Sequence, residues 1–273
     1  MSVWEAETTP DTHQQQSDRR GGHRSLEAPA ALPSTASASA GSDAAHPARR
    51  RSLLHRLREL TRSQYRNCRR AFTDVLFERR LDVHTDAYVP LELLGVDAPY
   101  GKDYMPSGWL SLRRILRNDE VTADDVLLDV GSGMGRVVLQ AAIDYPFRRV
   151  LGIEVARDLH AIAIENVRRN THRFGSTQVS LTCQNAVESR IPDDVTVVYL
   201  YNSFEGPTFT SFLEKLLQSI DRNPRQVRFI YANPRQEELL LATKRVRFVR
   251  ESRGWRPTAA WARSNCIRMY VVV

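Results

Sequence analysis

The sequence predicts an α/β domain, doubly wound around a mostly parallel sheet, with helices added at its N-terminus. Three observations predict it. From Asp125 onward, short apolar runs of strand length alternate with amphipathic stretches of helical period. A glycine-rich turn, Gly131-Ser132-Gly133-Met134-Gly135, joins the first run to the first helical stretch. The last two runs follow one another without a helix long enough for a crossover, so they should pair antiparallel at a sheet edge.

The elements follow in order. Residues 1–48 are rich in Ala, Ser, Thr, Gln, Pro and Gly and read as a disordered tail. Residues 49–118 form a basic amphipathic helical segment and a connector. Leu54, Leu57, Thr61, Tyr65, Cys68, Phe72 and Val75/Leu76 recur at helical spacing among arginines. Such a stripe suits a membrane surface or a nucleic acid, but packing on the domain behind it is favoured, because no Trp supports the alternatives. A helix is expected from Trp109 to Leu116. The domain proper is placed at 119–273, with strands "DVLLDV", "RRVLGIE", "QVSLTC", "VTVVYLYN" and "VRFIYAN". Helices are expected near 136–144, 158–170, 207–221 and 235–243. The runs are apolar almost throughout, as befits a parallel sheet covered on both faces. "RVRFVRES" and "NCIRMYVVV" supply the antiparallel pair. "YANPR" reads as a helix start, with Asn233 as cap and Pro234 at the first helical position.

The 273 residues, 42% of them apolar, suffice for a sizeable core. No run has the eighteen apolar residues of a membrane span, and no charged-then-apolar leader opens the chain. Cys68, Cys183 and Cys266 are odd in number and far apart, which fits a reduced, cytoplasmic protein and no disulfide framework. The histidines lack ligand spacing, so no metal is assigned. The net charge of +7 is concentrated: residues 49–82 hold eleven Arg against four acids, residues 1–48 three Arg against six acids, and the remainder is nearly balanced.

The glycine turn carries the chemistry. Its pattern is G-x-G-x-G with Arg136 in the sixth position, where the dinucleotide fingerprint has its third glycine. No Gly-Lys-Ser/Thr follows, so it is not a nucleoside-triphosphate loop either. Glu154 ends the next strand, twenty-three residues after Gly131. A carboxylate there has the two-oxygen geometry to accept hydrogen bonds from both hydroxyls of a ribose.

Residues 104–273 resemble class I (Rossmann-like) S-adenosylmethionine-dependent methyltransferases, through Asp129-Val-Gly131-Ser-Gly133-Met-Gly135, Glu154 and the terminal strand pair. The resemblance implies a seven-stranded sheet and S-adenosyl-L-methionine as cofactor. It further implies that Asp129, with the backbone of Gly131, Ser132, Gly133 and Gly135, holds the methionine moiety. Glu154 would hold the ribose, while Asn185-Ala186 occupies the family's adenine position. Tyr104 and Pro106 resemble the segment beside the methionine end. "YLYNSFEGP" falls at the family's catalytic lip and resembles its Asn-Pro-Pro-Tyr motif, with Ser203 in place of a proline.

At that lip Asn202 would orient the attacking atom, Phe204 would stack on or wall the acceptor, and Glu205 would serve as base. The same stretches resemble the non-SET histone-lysine methyltransferases, although Tyr201 replaces the first of their paired asparagines. The expected activity is methyl transfer by in-line displacement to a nitrogen or oxygen of a small molecule, with protein lysine as the alternative. A non-catalytic, cofactor-binding module is the reading from another class. Nucleic acid is a partner compatible with the basic 49–82 segment, though not favoured.

Overall fold

The computed structural model describes residues 71–98, 100–253 and 266–273, with Gln64 and Cys68 as isolated positions. The expected tail at 1–48, and Leu54, Leu57, Thr61 and Tyr65 of the predicted stripe, lie outside the described residues.

Seven strands form one sheet: β1 (Val126–Val130), β2 (Arg149–Glu154), β3 (Gln178–Cys183), β4 (Val197–Leu200), β5 (Val227–Ala232), β6 (Val246–Arg253) and β7 (Cys266–Val272). Their order is β3-β2-β1-β4-β5-β7-β6. The first five are parallel, and β7 runs antiparallel between β5 and β6. The main helices are α1 (Arg136–Asp144), α2 (Arg157–Asn170), α3 (Gly206–Arg222) and α4 (Glu237–Ala242). Strand β1 lies between β2 and β4, so the winding reverses at its C-terminal end. That switch point opens a crevice in which such sheets bind ligands.

The period of two along β1 divides the core. Val126, Leu128 and Val130 pack with Phe209, Phe212 and Leu216 of α3 on one face. Leu127 packs on the other with Val137 and Val138 of α1. Burial on both faces holds in the central strands, but edge strand β3 is exposed or half-buried along its whole length. The two-sided cover expected for every strand therefore stops short of this edge.

Three further expectations are corrected. Residues 109–116 form successive turns instead of a regular helix, mixing i→i+3 and i→i+4 bonds: Ser111 N–H donates to Gly108 O (2.9 Å) and Leu116 N–H to Leu112 O (2.9 Å). Trp109, Leu112, Ile115 and Leu116 are nevertheless all buried. Tertiary partners serve the terminal carbonyls, with Tyr145 Oη donating to Leu116 O (2.8 Å) and Arg250 Nε to Ile115 O (2.8 Å). Packing thus overrides propensity.

The predicted stripe is also re-phased. A π-type turn at Asp74–Glu78 precedes Arg79–Leu81 and adds a residue to the helical period. Phe77 and Leu81 consequently pack on the core, while Phe72, Val75 and Leu76 are 61%, 55% and 42% exposed. Lastly, Asn233 does not cap α4. It adopts φ +51° and gives its N–H to Cys266 O (2.9 Å), continuing the β5–β7 ladder, and α4 begins only at Glu237. No helix among the described residues is long and apolar enough to cross a membrane.

Candidate functional site

The loop leaving β1 sits at the switch point. Gly131 and Gly133 both adopt left-handed φ, +74° and +54°. A Cβ on Gly131 would run into the Ser203 side chain, and one on Gly133 into the Tyr104 ring. Glycine is therefore required twice over, for conformation and for close approach. The loop is pinned to β2: Gly131 and Ser132 N–H both donate to Ile153 O (2.9 Å each).

Two carboxylates flank this loop. Glu154 is 7% exposed and accepts from Gly133 N–H (2.8 Å) and Ala156 N–H (2.9 Å). Burial raises its pKa, and the backbone donors pull partly the other way. Asp129, at the end of β1, is 2% exposed, and its Oδ2 has no protein partner. Burial, and then the charge of Glu154, push its pKa well above the ordinary carboxylate range. Ser132 Oγ is likewise buried and unpaired. Unpaired buried acceptors cost about 1–3 kcal/mol each, so Asp129 Oδ2 calls for a donor, supplied by water or by a ligand. Asn185 is half-buried; its Oδ1 accepts from Val187 N–H (3.2 Å), which leaves that oxygen one lone pair. Ala186 is buried beside it.

Asp129, Gly131, Glu154, Asn185 and Ala186 line one cavity together with Tyr104, Ser203 and Phe204, whereas Ser132 and Gly133 lie behind its wall. Its outer wall is the connector, through Leu91, Leu94, Val96, Asp97, Lys102 and Met105. Apart from Tyr104, the sequence reading missed this wall. Its residues have no motif; the bridge Val89↔Tyr104 closes the connector on itself, and the bridge Gly101↔Phe204 with Lys102 N–H donating to Ser203 O (3.2 Å) ties it to the lip. Tyr104 Oη donates to Thr85 O (3.0 Å), which holds its ring against Gly133. Pro106 is absent from the lining.

Arg136 was also missed as a site residue. It lines the cavity from the first turn of α1, 7% exposed. Its Nε donates to Thr85 Oγ1 (2.7 Å), one terminal nitrogen to Ser107 O (2.9 Å) and the other to Glu78 Oε1 (2.9 Å). The guanidinium lies 5.0 Å from the Trp109 ring centre, and Trp109 stacks in turn on Phe77 at 5.1 Å. This buried network ties the N-terminal segment to the glycine loop. An arginine just inside a glycine turn was the available clue.

The lip follows β4. Asn202 has φ +44°, and its Oδ1 is buried without a partner. A non-glycine residue in this region stores strain of order 1–3 kcal/mol. Ser203 Oγ donates to Val130 O (3.0 Å), fastening the lip to β1 where a proline would have fixed it by its ring. Phe204 is 7% exposed and packs against Phe212 with ring centres 5.8 Å apart. Glu205 pairs with Lys102 at 2.6 Å and lies outside the cavity lining. The structure thus brings Ser203 and Phe204 into the cavity lining, leaves Asn202 beside them but outside it, and directs Glu205 to the connector. No metal-binding group of three or more His, Cys, Asp or Glu occurs among the described residues.

Comparisons with known proteins meet this geometry. Residues 105–230 match the model of a family described as histone methylation protein DOT1. A protein-lysine N-methyltransferase of Saccharolobus islandicus is 31% identical over 67 residues, 24% of this chain and 42% of that protein. Ribosomal RNA small subunit methyltransferase A of Acidothermus cellulolyticus is 33% identical over 88 residues, 32% of this chain and 29% of that protein. The chain spans less than half the length of either curated relative. Among solved structures, an RNA methyltransferase from Salinibacter ruber in complex with S-adenosyl-L-homocysteine shares 23% identity at a TM-score of 0.41, covering 62% of this chain and 94% of its own. The likeness to class I S-adenosylmethionine-dependent methyltransferases, and to the histone-lysine branch among them, holds over residues 105–230.

Proposed function

We propose that the chain transfers a methyl group from S-adenosylmethionine to an amine nitrogen, with a protein lysine as the acceptor. The observation that carries the cofactor reading is the unpaired Oδ2 of buried Asp129 beside the Gly131–Gly133 cradle and Glu154. A ligand bringing a ribose diol to Glu154 and an ammonium to Asp129 supplies the donors these acceptors need. Backbone at Gly131, Ser132, Gly133 and Gly135 would hold the methionine end, with Tyr104 over it and the half-used Asn185 oxygen beside Ala186 for the adenine amine. Arg136 adds a cation facing the same cavity.

S-adenosylmethionine supplies a methyl group already activated by a sulfonium, so the protein's work is orientation and exclusion of water. Asn202 Oδ1, unpaired and held by a strained backbone, accepts a hydrogen bond from the acceptor amine and aims its lone pair. Phe204 and Met105 wall that side of the cavity. Glu205, engaged with Lys102, is not the base. Asp103 is committed to Tyr88 Oη and Leu91 N–H. The amine therefore enters neutral, and its proton is lost to solvent before the displacement.

The matched family model and the lysine-modifying relative favour a protein amine over the small molecule expected from sequence. The three unpaired cysteines keep the reading in a reducing, cytoplasmic setting. Incubation with tritiated S-adenosylmethionine and a mixture of basic proteins, RNA and free amines tests it. Label recovered as methyl-lysine after acid hydrolysis is expected; label confined to RNA or to small amines contradicts the lysine acceptor.

A further inference from the structure

We infer that Glu78, in the segment before the domain, sets how strongly the cavity holds a carboxylate-bearing ligand, because it competes with that ligand for Arg136. This rests on the reading of the cavity as an S-adenosylmethionine site and names what governs its methionine end. Arg136 and Ser107 line the cavity, whereas Glu78 does not. The carboxylates of Asp97, Asp103, Asp129 and Glu154 line it too, against the cations of Lys102 and Arg136. Lys102 is taken by Glu205 at 2.6 Å. An anionic group entering so acidic a cavity is therefore directed to Arg136.

Arg136 has donors to offer. Of the five N–H groups of a guanidinium, three are engaged, by Thr85 Oγ1, Ser107 O and Glu78 Oε1, which leaves two. Ser107 Oγ accepts from Tyr199 Oη (3.0 Å), so its own hydrogen is left for the same anion. A carboxylate can accept from such a set through both oxygens. The methionine end of the cofactor carries an ammonium and a carboxylate on one carbon. Asp129 Oδ2 suits the first, and Arg136 with Ser107 suits the second.

The charge of Arg136 is already opposed. Glu78 Oε1 lies at 2.9 Å, and Asp86 Oδ1 at 3.8 Å. Burial lowers the Arg136 pKa, and the Glu78 charge is the strongest influence acting against that. Glu78 closes the π-type turn at Asp74–Glu78 and does not depend on Arg136 for its place. Its Oε1 also accepts from Thr85 Oγ1 (2.6 Å) and Trp109 Nε1 (2.9 Å), and its Oε2 from Thr85 N–H (2.8 Å). A carboxylate pinned by three other donors does not swing aside when a second carboxylate arrives. The ligand thus meets a neutral pair in place of a bare cation, and two like charges around one guanidinium repel. Stability alone is a weak reason for a buried pair. Here one member faces the ligand space and the other is locked behind it.

Calorimetric titration of S-adenosylhomocysteine and of its decarboxylated analogue, S-adenosyl-3-thiopropylamine, into the full chain tests the inference. The two ligands differ by the carboxylate alone. Glu78→Gln keeps the shape of the side chain and drops its charge. It should tighten S-adenosylhomocysteine by about tenfold or more and leave the analogue within about threefold. Asp86→Asn, at the more distant and partly exposed neighbour, should act in the same direction by about twofold. Equal changes for both ligands in Glu78→Gln, as a purely structural role would give, or weaker binding of S-adenosylhomocysteine alone would overturn it. Should Glu78→Gln fail to fold, the ratio of the two affinities in Asp86→Asn decides. A native chain that binds neither ligand removes the cofactor reading itself. Binding whose ratio no variant moves removes this inference and leaves that reading standing.

Discussion

The two halves of the cavity are built differently. On the β1–β2 side, every group has its expected type, and the backbone is fixed by bonds within the sheet. Gly131 and Ser132 bond to Ile153 O, and Gly133 bonds to the Glu154 carboxylate. On the β4 side, the lip is held by substitutes: Ser203 Oγ on Val130 O, Phe204 on Phe212, and Glu205 on Lys102. Under the proposed function, the first half would hold the cofactor, and the second, assembled from local contacts with a connector of its own, would set acceptor specificity. A mutation in the first half should abolish binding; one in the second should alter turnover.

The sharpest break of that contrast comes from Glu154→Ala. Under the proposed function it would remove two charge-assisted hydrogen bonds to a ribose, worth ~1.5–3 kcal/mol each, so cofactor affinity should fall by about 100-fold or more in calorimetry. Asn202→Ala is the counterpart on the lip. It should lower turnover by roughly 100-fold while S-adenosylhomocysteine affinity stays within about threefold, because misaimed nucleophiles lose rate and not cofactor binding. Unchanged turnover would remove Asn202 from the mechanism.

Gly133→Ala should act on both binding and stability. Its Cβ meets the Tyr104 ring at φ +54°, and strain of about 1–3 kcal/mol should lower the melting temperature and weaken cofactor binding about tenfold. The buried acids add a pH dependence of the same sign for each. Asp129 and Glu154 hold protons more tightly folded than unfolded, so their contribution to ligand-free stability is fully present below the ordinary carboxylate pKa. It is lost as pH rises through their raised values. Melting temperature of the ligand-free protein should therefore decline over that window. Cofactor affinity should increase over it, with proton release visible as a buffer-dependent binding enthalpy. The smallest effect belongs to Lys102→Met. A half-exposed pair is worth ~0–1 kcal/mol, so turnover should change by less than about threefold if Glu205 only braces the connector. A collapse of turnover in Glu205→Gln with a shifted pH profile would restore it as a base.

What the sequence made legible follows the same division. Strand runs such as Val126–Val130 and the glycine spacing are local signals, enforced by burial on both faces and by φ values only glycine adopts at ease. They located the sheet, the antiparallel pair and the glycine turn at the switch point. Signals that depend on distant partners were not legible. The Leu116 carbonyl finds Tyr145, Asn233 finds Cys266, and the π-type turn at Asp74–Glu78 rotates Phe77 inward in place of Val75 and Leu76. The connector wall and the Glu78–Arg136 pair are tertiary in the same sense, since nothing in their spacing announces that they meet.

The most direct measurement is calorimetric titration of S-adenosylmethionine and S-adenosylhomocysteine into the protein and into Glu154→Ala, with NAD as a control. Roughly micromolar binding of both, lost in the variant and absent for NAD, is the predicted result. A folded protein that binds neither, or whose affinity is untouched by Glu154→Ala, would contradict the assignment of the Asp129–Glu154 cradle.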